Sequence, residues 1–182
     1  MKALIILENG FEDTEALATY DVLKRGGFEL VSASFDSCNI ETQCGHKIKS
    51  DCLVKDIKNI GDFDCLVIPG GKAVFNILNK KKEVDDLIDI FYKKKKLIAC
   101  ICAAPMLLLK RGYLDKLEYT CFPGCDDIEH KAIRGSDGVI TSKNFITATS
   151  MYYSINFGLE IVKYFNGEKA KQRLLNSLKG IK

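Results

Sequence analysis

The chain has only two histidines and three prolines among its 182 residues, and it lacks any apolar stretch near the length that spans a bilayer. Charges interrupt every candidate well before the roughly 20 residues a spanning helix needs, which argues against a membrane protein. The opening run Ala3 to Leu7 is too short for the apolar core of a signal peptide, and Glu8 and Asn9 end it at once. A cytoplasmic setting is therefore expected. A strong charge of either sign is also missing: 27 Lys and Arg against 24 Asp and Glu leave a formal +3, too little to point to nucleic acid or an anionic surface. The cysteines lack zinc spacing. Cys100 and Cys102 are separated by a single residue, Cys121 and Cys125 stand four positions apart, and no CxxC pair faces a second one. Neither a metal nor an organic cofactor is expected.

What is present is apolar residue in quantity, 47% of the chain, enough for one sizeable core and a single domain over residues 1–182. A domain of this size needs no disulfide staples, so the eight cysteines read as reduced thiols, most of them small core fillers. Leu4 to Leu7, Cys65 to Ile68 and Leu97 to Ile101 are short continuous apolar runs, the pattern of strands covered on both faces. Phe28 to Phe35 predicts another strand, Asp36 to Asp56 an edge hairpin, and Val139 to Thr141 with Phe145 to Thr147 a strand pair. Between them lie helical periods: Ala16, Tyr20 and Leu23, with Asp13 as N-cap and Gly26 as the stop; Val84, Leu87, Ile88 and Phe91; Ile155, Leu159 and Val162; and Ala170, Leu174 and Leu178. The Lys80 to Lys82 and Lys93 to Lys96 runs read as solvated residues at helix ends.

Strands alternating with helices predict an α/β protein, a flavodoxin-like three-layer sandwich with a largely parallel sheet and helices on both faces. In such sheets ligands bind beyond the carboxyl ends of the strands. After Leu7 comes an acid-rich turn with Glu12, Asp13 and Glu15; after Ile68 come Pro69, Gly70 and Gly71; after Ile101 comes Cys102, followed by Ala103, Ala104 and Pro105. A cysteine between a buried strand and a helix start would face the helix N-terminus, where comparable thiols have pKa values of about 3.5 to 7.5. Taken alone, the residues leave Cys102 open between a reactive thiol and a core filler. They favour Glu15 as an exposed first-turn acid serving the helix dipole over a buried proton carrier beside the thiol. Gly70 and Gly71 lack the spacing of a phosphate loop. This loop fits either an ordinary tight turn or an oxyanion hole with Gly71 and Ala103 as backbone donors.

The strings ENGFEDTEA (8–16), LVIPGG (66–71), ACICAAP (99–105) and NFGLEIV (156–162) resemble, in order and spacing, the ThiJ/PfpI superfamily. They are most similar to its branch containing the Parkinson-disease-associated deglycase and bacterial YajL. The resemblance implies Cys102 as nucleophile, Glu15 as the acid beside it, and Gly71 and Ala103 as oxyanion donors. It implies cysteine-dependent removal of reactive dicarbonyls, by glutathione-independent glyoxalase or protein deglycase chemistry, with a role in oxidative stress. The substrate would be a small aldehyde or a glycated protein, and the protein a homodimer. The alternative is a non-enzymatic redox sensor or chaperone acting through Cys102 oxidation. A cysteine peptidase or amidotransferase reading is weaker because it needs an imidazole beside the thiol, and Ala103 stands where related peptidases carry one. Older annotation of relatives also offers a role in thiazole monophosphate synthesis. Two departures from the family pattern, Phe122 in place of a histidine and Ser150 to Tyr153 in place of a glycine-rich turn, should reshape the pocket wall.

Overall fold

A computed structural model describes residues 1–136 and 138–181; Asp137 and Lys182, which belong to the single domain expected over 1–182, lie outside the described residues. In chain order the elements are β1 (Lys2–Ile6), α1 (Asp13–Arg25), β2 (Glu29–Ser34), β3 (Asn39–Glu41), β4 (Lys47–Lys49), β5 (Cys52–Leu53), β6 (Cys65–Ile68), α2 (Lys72–Asn76), α3 (Lys82–Lys93), β7 (Leu97–Ile101), α4 (Met106–Leu109), β8 (Glu118–Tyr119), β9 (Ile133–Arg134), β10 (Val139–Ser142), β11 (Phe145–Ala148), α5 (Ser154–Asn166) and α6 (Glu168–Leu178).

Seven strands form one sheet in the order β10-β11-β7-β6-β1-β2-β5, parallel throughout except for the β10–β11 pair at one edge. The continuous apolar runs arise because both faces are covered. Leu4, Ile6, Leu66, Ile68 and Ile98 point to one side, into a core completed by α3 and α4. Ala3, Ile5, Val67, Ala99 and Ile101 point to the other, against α1 and α5. Alternation with period two thus becomes an unbroken hydrophobic string when neither face meets water. This is the expected three-layer α/β sandwich, and no helix among the described residues is long and apolar enough to cross a membrane.

Three local expectations are corrected. Glu12, not Asp13, is the N-cap of α1, its Oε2 accepting from the N–H of Glu15 at 2.7 Å. Asp13 is drawn instead to the β3–β4 hairpin, where it accepts from Thr42 Oγ1 (2.6 Å), Cys44 N (3.1 Å) and His46 Nδ1 (2.8 Å). Burial alone would push the Asp13 carboxyl up, but these bonds hold it down at about 2. The hairpin is a separate two-stranded ribbon, and β5 takes the sheet edge beside β2. Ile155 is exposed, the buried face of α5 being made by Phe157, Leu159, Ile161 and Val162. The helix expected after Cys102 spans Met106–Leu109, with Pro105 as its N-cap.

Candidate active site

The carboxyl ends of β1, β6 and β7 converge on a cavity of about 290 Å³ whose lining includes Glu15, Gly71, Cys102 and Ala103. The tertiary fold therefore brings together all four residues singled out in the sequence. Cys102 ends β7 with φ at +64°, a left-handed conformation costly for a side chain with a Cβ. The surroundings hold it there: its N–H donates to Ala148 O at 2.9 Å, and its carbonyl accepts from Phe122 N at 2.9 Å. The chain thus turns sharply out of the sheet, and the thiol is half-buried at the cavity floor.

Glu15 is 1% exposed, which overturns the exposed first-turn acid that the residues alone favour. Gly70 N donates to its Oε2 at 2.7 Å, while its buried Oε1 has no hydrogen-bond partner among the described residues. The carboxyl lies within range of the Cys102 thiol, and each shifts the other. Burial pushes Glu15 up to about 7, against the lowering effects of Cys102 and the Gly70 N–H. Burial also pushes the Cys102 thiol up, and the neighbouring Glu15 pushes it further, opposed by the N–H of Ala103. The low thiol pKa expected from a helix N-terminus is therefore corrected. A four-residue helix has a small dipole, and desolvation beside a carboxyl outweighs it. The titrations of the two groups are coupled, and burial favours the protonated form of each.

Glycine is demanded on either side of this pair. A Cβ on Gly70 would stand 2.7 Å from Cys102 Cβ and 3.0 Å from Ala103 N. Gly71, at φ +90°, meets the α1 approach so closely that a Cβ would lie 2.5 Å from Glu12 N. Glu12 N donates to Gly70 O (3.1 Å) and Ala73 N to Gly10 O (3.0 Å), bonds that bracket Gly71 without engaging its own N–H.

Phe122, Ser150 and Met151 all line the cavity, so both departures noted in the sequence fall on its wall. His46 and His130 do not line it: His46 faces Asp13, and His130 lies 3.2 Å from the Tyr119 hydroxyl. Two contributors had escaped notice. Gly70 acts through its N–H and its missing side chain, legible only as half of a glycine pair. Cys125 also lines the cavity, and nothing in its spacing signalled this. Among the described residues no group of three or more His, Cys, Asp or Glu is placed to hold a metal ion.

Residues 1–164 match the DJ-1/PfpI family. The chain is 33% identical over 150 residues to a deglycase of Pyrococcus horikoshii, covering 81% of this chain and 89% of that protein. It is 31% identical to a glutathione-independent glyoxalase of Caenorhabditis elegans, covering 97% and 95%. Among solved structures, oxidised DJ-1 of Toxoplasma gondii superposes with a TM-score of 0.88 at 25% identity, covering 97% of both chains. DJ-1beta of Drosophila melanogaster does so at 0.87 and 27%, covering 97% and 96%.

Proposed function

The chain belongs to the DJ-1/PfpI family, and from that premise we propose that it is an enzyme that removes reactive dicarbonyls without glutathione, using Cys102 as nucleophile. The observation that carries this reading is the pairing of a strained, half-buried Cys102 thiol with the buried carboxyl of Glu15 at the floor of one cavity. Relatives named deglycase and glutathione-independent glyoxalase support the substrate class.

In this mechanism the Cys102 sulfur adds to the aldehyde carbon of methylglyoxal or a similar compound as its proton passes to Glu15. The carbonyl oxygen gains negative charge and takes hydrogen bonds from the N–H groups of Gly71 and Ala103. Glu15 returns that proton to the oxyanion, then takes the proton of the former aldehyde carbon and delivers it to the neighbouring carbonyl carbon, while the hydroxyl proton passes to the second oxygen, leaving a thioester of a 2-hydroxy acid. Water hydrolyses it, which returns the thiol and releases the hydroxy acid. A cavity of about 290 Å³ suits a small aldehyde; adducts on proteins would present the same electrophile at its mouth. We also propose that the protein works as a homodimer, a reading supported by the exposed apolar side chains of Leu17, Tyr152 and Ile155.

The test is methylglyoxal turnover by purified protein without glutathione. Hydroxy acid should form with wild type and not with Cys102→Ser; equal rates for the two would overturn the assignment. A second reading, oxidant sensing at Cys102, is supported by the oxidised state in which the Toxoplasma relative was solved. Oxidation at Cys102 without turnover would favour it.

A further inference from the structure

Of the described cysteines, only Cys102 and Cys125 line the active-site cavity. The dicarbonyl mechanism uses the first and leaves the second without a role. Cys125 is held over Cys102 by the backbone of Cys102 itself. Phe122 N donates to Cys102 O at 2.9 Å, and Cys125 N donates to Phe122 O at 3.0 Å, closing a turn through Gly124 at φ +81°. The far side of this turn is anchored independently. Arg134 Nη2 donates to Cys121 O at 2.8 Å, the Tyr119 hydroxyl donates to Asp126 Oδ2 at 2.8 Å, and the Arg134 guanidinium pairs with Asp126. Cys121, four positions before Cys125 and beside the anchoring Arg134, is turned away: its Sγ meets Arg134 Nη1 and Phe122 O, each at 3.3 Å. Cys100 is sealed in the core.

We propose that Cys125 is a resolving cysteine for Cys102, so that reaction with a hydroperoxide ends in a reversible Cys102–Cys125 disulfide. The Cys102 sulfur, losing its proton to Glu15, attacks a peroxide oxygen. The O–O bond breaks, the sulfur becomes a sulfenic acid, and the peroxide is reduced to an alcohol or water. The Cys125 sulfur then attacks the Cys102 sulfur. An S–S bond forms, the S–O bond breaks, and the departing hydroxide takes the Cys125 proton and leaves as water. In sum, two thiols and one hydroperoxide give one disulfide, one alcohol or water, and one further water. Glu15 lies within electrostatic range of both thiols and can relay the proton. The cavity thereby protects its nucleophile from irreversible oxidation.

The experiment uses the full chain carrying Cys38→Ser, Cys44→Ser and Cys52→Ser, which removes the exposed and half-buried thiols outside the cavity. After treatment with one equivalent of hydrogen peroxide, non-reducing peptide mapping should show Cys102 linked to Cys125. Two free thiols should be lost, and dithiothreitol should restore both. Adding Cys125→Ser, with a second equivalent of peroxide, should convert the product to a Cys102 sulfinic acid that dithiothreitol does not rescue. The proposal is overturned if Cys102 accumulates sulfinic acid while Cys125 stays open to alkylation, or if Cys102 pairs with another cysteine. Should Cys125→Ser fail to fold, the peptide map of the Cys125-containing protein decides alone. No dicarbonyl turnover enters these readouts, so this inference and the proposed enzyme activity stand or fall separately.

Discussion

The N–H of Gly70 donates to Oε2 of Glu15 at 2.7 Å, and a Cβ built on Gly70 would stand only 2.8 Å from that same oxygen. The residue thus serves by giving a donor and by occupying no space. Gly70→Ala should push apart Glu15 and Cys102, lower stability by about 1 to 3 kcal/mol as an overpacking change, and reduce methylglyoxal turnover by roughly tenfold or more. Denaturant melts and turnover assays on the same preparation check both effects. A fully active, equally stable variant would show that the pair tolerates separation.

The left-handed backbone at Cys102 makes a second, separable prediction. Replacing Cys102 by Ala or by Gly removes the thiol either way, but only glycine relieves the φ of +64°. Cys102→Gly should therefore be more stable than Cys102→Ala by about 1 kcal/mol, with both inactive. Urea denaturation of the two variants measures the difference, and an equal or reversed order would remove the argument for strain.

Activity should depend on pH through the protonation of Glu15. Below about 7 Glu15 is protonated and cannot accept the proton of the Cys102 thiol. kcat/KM for methylglyoxal should then fall about tenfold for each pH unit below that point and level off above it. Glu15→Gln should be slow at every pH, with no inflection near 7. An unchanged inflection in that variant would assign the titration elsewhere.

Stability should respond to the same group in the opposite sense. The Glu15 carboxyl titrates near 4.5 in the unfolded chain and near 7 when folded, so the native state holds the extra proton between these values. Its contribution is complete below 4.5 and is lost as pH rises to about 7, at about 1.4 kcal/mol per pH unit and on the order of 3 kcal/mol in all. Comparing wild type with Glu15→Gln by urea melts across this window isolates the effect. The difference between them should change with pH only inside it.

The homodimer is checked by light scattering on the eluting peak of a size-exclusion column. A mass twice that of the chain is expected at micromolar concentration, and a monomer's mass would count against it.

The layers of this molecule were legible in its residues because burial leaves a local signature. Runs such as Cys65 to Ile68 and stripes such as Val84, Leu87, Ile88 and Phe91 are set by which faces of a strand or helix meet water, and each is read within a few residues. The ends of β1, β6 and β7 could be marked as the place to look for the same reason. Asp13 was misread as a cap because a partner 33 positions away, His46, competes for its carboxylate. No local pattern records that.

Sequence by itself determined the alternation of strands and helices, the polar turns after three buried strands, and a cysteine at one of them. Only the tertiary structure decided that Glu15 is buried, that Cys125 shares the cavity, and that the Cys102 thiol is pushed up rather than down. Burial and proximity arise where loops distant in the chain meet, and desolvation there overrides the short-range influence of a four-residue helix.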